Sequence, residues 1–343
     1  MANRYWVGGT GTWDGGISLN WSTTSGGLGG ALAPTSVDIV FIDANSGGGT
    51  ITLGADANIV RLDARNSTVN IDWNSYKISI NGTSTNIWYS GGITAIGITE
   101  SKVEFTYSGA NNRSINLRSG VGENNAVSIH VIAGTGNFTI NTGSTGVMQN
   151  LNFTGFSGTL VPSTFSASWT IYGDLTLSST MTMPSATGSL TMSATSTKTI
   201  TTNATTINQP IVFNGIGGTF AFQDALTQGS TRNFTITNGT VQLKNSVTST
   251  VGAFVTSGTN QKFLQSTLAG LQATLSQASG TVSTNYLTIK DINAIGGAVW
   301  NSFVDQSNVD AGNNDGWDFG ISPVIGGTEY TYRLRSFTQP RRF

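Results

Sequence analysis

Apolar and polar positions alternate along most of this chain, and at five places a glycine introduces the alternation. Gly-Asn-Phe-Thr-Ile occupies 136–140, Gly-Asp-Leu-Thr-Leu 173–177 and Gly-Ser-Leu-Thr-Met 188–192. Gly-Thr-Phe-Ala-Phe at 218–222 and Gly-Thr-Val-Gln-Leu at 239–243 complete the set. A period of two places the apolar side chains on one face of a strand, and the glycine supplies a bend ahead of it. The phrases start 37, 15, 30 and 21 residues apart, irregular but near one or two turns of a chain wound on itself. Strand-patterned repeats of this size predict an all-β fold, a β-solenoid. Its inward slots are Leu175, Leu177, Leu190, Met192, Phe220, Phe222, Val241 and Leu243, while Thr176, Thr191 and Gln242 face outward.

Further strand phrases stand at 50–53, 68–71, 77–80 and 127–132. No segment sustains the i, i+3, i+4 spacing of a helix, and the best helix candidate, Phe263 to Gln277, is weakened by its Ser, Thr and Gly. Four regions follow. Residues 1–45 are aromatic and glycine-rich and read as a cap or attachment segment. Residues 46–165 hold early coils, and 166–320 the repeat-bearing solenoid, closed by a Gly-Trp-x-Phe motif. Residues 321–343 are an Arg/aromatic tail.

Composition changes the picture of the surface. Charged residues are 10% of the chain, against about 25% in ordinary soluble domains, so hydroxyl and amide groups must cover the outside. The 16 Phe, 8 Trp and 8 Tyr argue against disorder. A net charge of −1 offers no overall basic excess for nucleic acid. Cysteine is absent, which excludes disulfides and thiolate metal sites. The opening Met-Ala-Asn-Arg-Tyr-Trp-Val-Gly-Gly has no apolar signal core, and no run approaches 18 apolar residues. Synthesis in a cytoplasm without membrane insertion is expected.

Candidate chemistry is thin. Acids are few and scattered, as at Asp14, Asp63, Asp72, Asp174 and Asp224. Asp38 and Asp43 flank Ile39–Ile42 on opposite faces of an ideal strand, which suits turn bonding rather than a catalytic pair. His130 is the only histidine and has no nucleophile motif beside it. The glycine clusters at 8–11 and 26–30 open no helix that could cradle phosphate. Asp305, Asp310, Asn313, Asn314, Asp315 and Asp318 carry oxygen ligands of the type Ca²⁺ takes, but not at EF-hand spacing, and a hydrogen-bonded turn ladder is the simpler reading. The expectation is a protein without catalytic residues, cofactor or metal.

The opening Arg4-Tyr-Trp-Val-Gly-Gly-Thr-Gly-Thr-Trp13-Asp14, with Asn20-Trp21-Ser22 and the run from Pro34 to Asp43, resembles the N-terminal signature of tailed-bacteriophage virion structural proteins. The segment from Trp300 to Phe319 resembles the closing coil of phage and bacterial right-handed β-helix proteins. The resemblance implies a right-handed parallel β-helix, a homotrimer, and a place in the virion. Two attachments fit: a capsid decoration or cement protein on the major capsid protein, favoured here, or a tail fibre or spike joined to tail or baseplate proteins and gripping a host surface glycan. A polysaccharide-degrading tailspike is the enzymatic alternative.

Contact residues are expected at the chain ends, on the reasoning that a coil stack needs neither end to close its core. Arg333, Arg335, Arg341 and Arg342 crowd into the last eleven positions, interleaved with aromatic residues including Tyr330, Tyr332 and Phe343. Arg and aromatic residues are what interface anchors favour. Tyr5, Trp6 and Trp13 form the second candidate group, either as a binding surface or as the packed cap of a small domain.

Overall fold

The computed structural model describes residues 1–323 except 17, 66, 68, 84–87, 90–93, 97–101, 117–121, 124, 125 and 142–144. Almost no helix is present; the strands stack in parallel sheets as a β-solenoid of about 11 turns. One sheet of 16 strands runs from Ala57–Ile59 to Val309–Asp310. An eight-stranded sheet and a four-stranded sheet, the latter from Gly11–Trp13 to Thr94–Ile96, form the other walls of the N-terminal half. Most side-chain bonds between successive turns join residues 20 to 27 apart, which measures the coil.

That length explains the uneven spacing of the glycine phrases. Leu175 pairs with Ile200, Ile200 with Phe222, and Phe220 with Val241, so three phrases share one column of rungs. Leu190 pairs instead with Trp169 and Ile211, in a second column of the same sheet. The short step from 173 to 188 therefore crosses between columns within a turn. The rung that the pattern misses is Thr197–Thr201, which has no leading glycine.

The predicted core residues are all buried, with Phe220, Phe222, Val241 and Leu243 at 0% exposure, while Thr176, Thr191 and Gln242 are half-exposed. Phenylalanines stack from turn to turn: Phe213 to Phe234 at 5.0 Å and Phe234 to Phe254 at 5.8 Å between ring centres. The series ends on Trp300 and Trp317, 4.9 Å apart, the latter in the Gly-Trp-x-Phe motif at the closing coil. Such ring contacts add to area burial and fix the register of the stack.

The helix candidate at 263–277 is two strands, Lys262–Ser266 and Ala273–Gln277. Leu264, Ala273 and Leu275 face inward at period two, and pairing with the turns on either side overrides the weak helical spacing. The N-terminal segment also departs from expectation, because it does close the core. Asn3–Trp6 is a rung parallel to Ile39–Phe41, and Trp21–Ser22 lies antiparallel against its outer edge. Trp6 and Trp13 each meet Trp21 edge-on at 5.1 Å, giving the first turn a plug of indoles.

Candidate functional site

The two groups of expected contact residues have different fates. Trp6 is 0% and Trp13 3% exposed, so neither presents a flat ring to a glycan or a partner. The Trp6 indole N–H donates to the Gly9 carbonyl at 2.9 Å. Tyr5 is half-buried and stacks on Phe41 at 4.7 Å. Arg333, Arg335, Arg341, Arg342, Tyr330, Tyr332 and Phe343 lie outside the described residues.

The acids of the body hold turns together. Asp174 accepts the Thr199 N–H at 2.7 Å and its hydroxyl at 3.0 Å, one coil away. Asp224 accepts the N–H groups of Thr202 and Asn203. Asp38 accepts from Ala2 N–H at 3.0 Å and from the Thr35 hydroxyl at 2.8 Å. Burial pushes the Asp38 carboxyl up, but those bonds and Arg4 outweigh it and hold the group below the usual range. Asp43 accepts the Asn45 N–H at 2.9 Å. The Asp305–Asp318 segment is a turn ladder: Asp310 accepts from Gly312 N–H, Asp318 from Gly320 N–H and Asp305 from Ser322 N–H. Among the described residues no three His, Cys, Asp or Glu side chains converge as a metal site.

His130 is not isolated in space. Its rung pairs Glu104 with His130 and Ser79 with Glu104, and Lys77 binds Glu104 at 2.7 Å while Lys102 stands at 4.0 Å. Burial and then Lys102 lower the imidazole pKa, while the hydrogen bond to Glu104 raises that of Lys77. The signal was the coil length: Lys77, Lys102 and Ser128 occupy equivalent positions on successive turns, and the spacing becomes meaningful only once that length is known. The cluster contains a single carboxylate, which is one short of a glycosidase pair.

Two cations enter the interior without a carboxylate. Arg113 is 1% exposed, donates from Nη2 to the Ala133 carbonyl at 2.8 Å, and lies over the rings of Phe138 and Tyr107. Burial lowers its pKa to about 10. Lys262 is 0% exposed, donates from Nζ to Asn285 O at 3.2 Å, and sits over the Tyr286 ring. Burial lowers its pKa as well. Between that lowered value and the ordinary 10.5 the unfolded chain binds the extra proton, so stability should rise with pH across this window. Lys262→Met is expected to remove this rise while leaving the fold intact. Denaturation midpoints of both proteins at increasing pH check it; an unchanged slope in the variant overturns it.

At the open N-terminal end lies a groove of about 290 Å³, walled by residues 13–15, 34–36 and 55–58. Asp14 and Asp56 stand exposed in it, and no Lys or Arg lines it. A second depression, about 260 Å³, lies on the body between residues 179–183 and 204–208 and is lined by hydroxyl, amide and methionine side chains. No protein-family model, curated protein or solved structure matches this chain.

Proposed function

We propose that this chain is a non-enzymatic structural protein of the exterior of a tailed-phage virion, acting as a trimeric decoration or cement protein on the capsid lattice. The observation that carries the non-enzymatic reading is the use of the body acids. Asp38, Asp43, Asp174 and Asp224 are each committed to backbone N–H groups of turns and neighbouring coils. A carboxylate so held is a poor general acid, because its protonation breaks the bonds that fix the turn. The virion assignment rests on the two end motifs, and the tail supplies the contact to a neighbouring chain. Arg333, Arg335, Arg341 and Arg342 suit carboxylates on the partner, with Tyr330, Tyr332 and Phe343 adding apolar area.

A tail-fibre adhesin for host glycan is the second reading. The neutral depression at 179–183 and 204–208 favours it, since Ser179, Thr206 and the Oδ1 of Asn208 offer the hydroxyl and amide oxygens that sugars bond, while the Thr205 hydroxyl is buried on Ser178 O. Copy number separates the two: on the order of hundreds per particle for decoration, tens or fewer for a tail part. Deleting residues 326–343 is expected to leave a soluble, folded solenoid that no longer incorporates into particles. Incorporation at wild-type level would remove the tail from the interface, and release of reducing sugar from host polysaccharide would overturn the non-enzymatic reading.

A further inference from the structure

We propose that the acidic groove at the first turns is the docking site for the Arg/aromatic tail of a second copy of this chain, which adds there as a strand. This rests on the reading of the tail as a contact segment, and not on the virion assignment.

The groove lies against two terminal strands, and one of them has a free edge. Gly11–Trp13 is the terminal strand of its four-stranded sheet, and Ala57–Ile59 is the terminal strand of the 16-stranded sheet. The outward carbonyl of Thr12 in the first is taken by the Asn20 amide at 3.2 Å, which leaves the edge of the second open. Ile59 O accepts the Asn81 N–H of the next turn at 3.0 Å, whereas Val60 N–H points the other way, to Asp38 O at 2.9 Å. Backbone groups alternate in direction along a strand, so the N–H and C=O of Asn58 point with those of Val60, away from the sheet. They have no backbone partner among the described residues. An extended segment entering the groove meets these groups, as in strand addition.

Charge selects the occupant. Asp14 and Asp56 make no ion pair among the described residues. Lys77, whose backbone N–H binds Asp56 at 3.0 Å, has its ammonium on Glu104 and acts on the Asp56 carboxylate only at longer range. The tail reads Glu-Tyr-Thr-Tyr-Arg-Leu-Arg over 329–335. Its period of two places Tyr330, Tyr332 and Leu334 on one face and Arg333 and Arg335 on the other. The arginines then meet the two carboxylates, and the tyrosines meet Pro34 in the groove wall, next to Val37, which is exposed just beyond it.

Reach selects a second copy. About 11 turns at ~4.8 Å separate the groove from the closing coil by roughly 50 Å. The ten residues from 323 to Arg333 span at most ~36 Å when fully extended, too short to return along the same solenoid. The contact is head-to-tail; it closes into a ring of copies or continues as a filament.

Absence of cysteine makes the test clean. Full-length Ser36→Cys protein is mixed with full-length Thr331→Cys protein and exposed to a short thiol crosslinker. The expected result is a crosslinked pair of chains that forms at least about tenfold faster than with Thr197→Cys, on an exposed mid-body strand, in place of Ser36→Cys. Adding Asp14→Lys and Asp56→Lys to the Ser36→Cys chain should abolish it. Arg333→Glu and Arg335→Glu in the Thr331→Cys chain should then restore it. Equal rates at residues 36 and 197, or failure of the charge swap to restore the product, overturns the proposal. If either occurs while tail deletion still blocks particle incorporation, the tail remains a contact segment and the groove is not its acceptor.

Discussion

Phe220→Ala is expected to destabilise the solenoid by about 3–5 kcal/mol, the cost of emptying a fully buried phenylalanine site. Phe220 is 0% exposed, and its ring centre lies 5.3 Å from that of Phe213. The space left behind collapses poorly, because part of its wall is backbone rather than side chain. A methyl group on Gly215 would come within 2.9 Å of the Phe220 ring, and one on Gly239 within 3.5 Å, so the ring rests directly on two glycine backbones. Each coil touches only its neighbours, so the loss is felt first in the turns built on 211–222 and 233–243. Chemical denaturation gives the magnitude, and amide hydrogen exchange should show protection falling in those two strands before the N-terminal sheets. A loss under 1 kcal/mol, or uniform loss of protection, would show that the stack redistributes the damage.

The strand class and the inward residues were legible in the sequence because each is a local pattern. Leu175, Leu190 and Val241 announce their burial through alternation alone. Coil length was not legible, since consecutive phrases fall in different columns and the Thr197–Thr201 rung has no glycine to mark it. The charged ladder of Lys77, Lys102, Glu104 and His130 was hidden for the same reason: its members are neighbours only across turns. The groove was hidden more deeply. It is made where residues 13–15, 34–36 and 55–58 meet at an open sheet end, and nothing in any one of those segments marks the meeting. Trp6 and Trp13, spaced by glycines, read more readily as a packed cap than as a surface, and their burial agrees, because Trp21 returns antiparallel between them.

Gly188→Ala is expected to cost about 1–3 kcal/mol, although alanine is the smallest possible addition and residue 188 has no left-handed backbone to protect. The sequence suggests that the glycine of each phrase serves the bend. The geometry gives a different reason. A Cβ at Gly188 would lie 1.9 Å from the Ala167 carbonyl oxygen, and one at Gly218 would lie 2.1 Å from Ala194 O. Both oxygens belong to the preceding coil, and both are backbone, so relief requires the coils themselves to separate. Separation lengthens ladder bonds nearby, among them Trp169 N–H to Ser189 O at 2.8 Å. Gly239 alone among the five combines such a contact, 2.4 Å from Gly215 O, with a positive φ of 86°. Gly48→Ala is the matched control, with no atom within 4 Å of the added carbon and no positive φ, and should be close to neutral. Thermal midpoints of the two variants test the distinction. Equal midpoints would mean that the coils yield freely at the bend, and that the glycines are retained for conformational freedom and not for close approach.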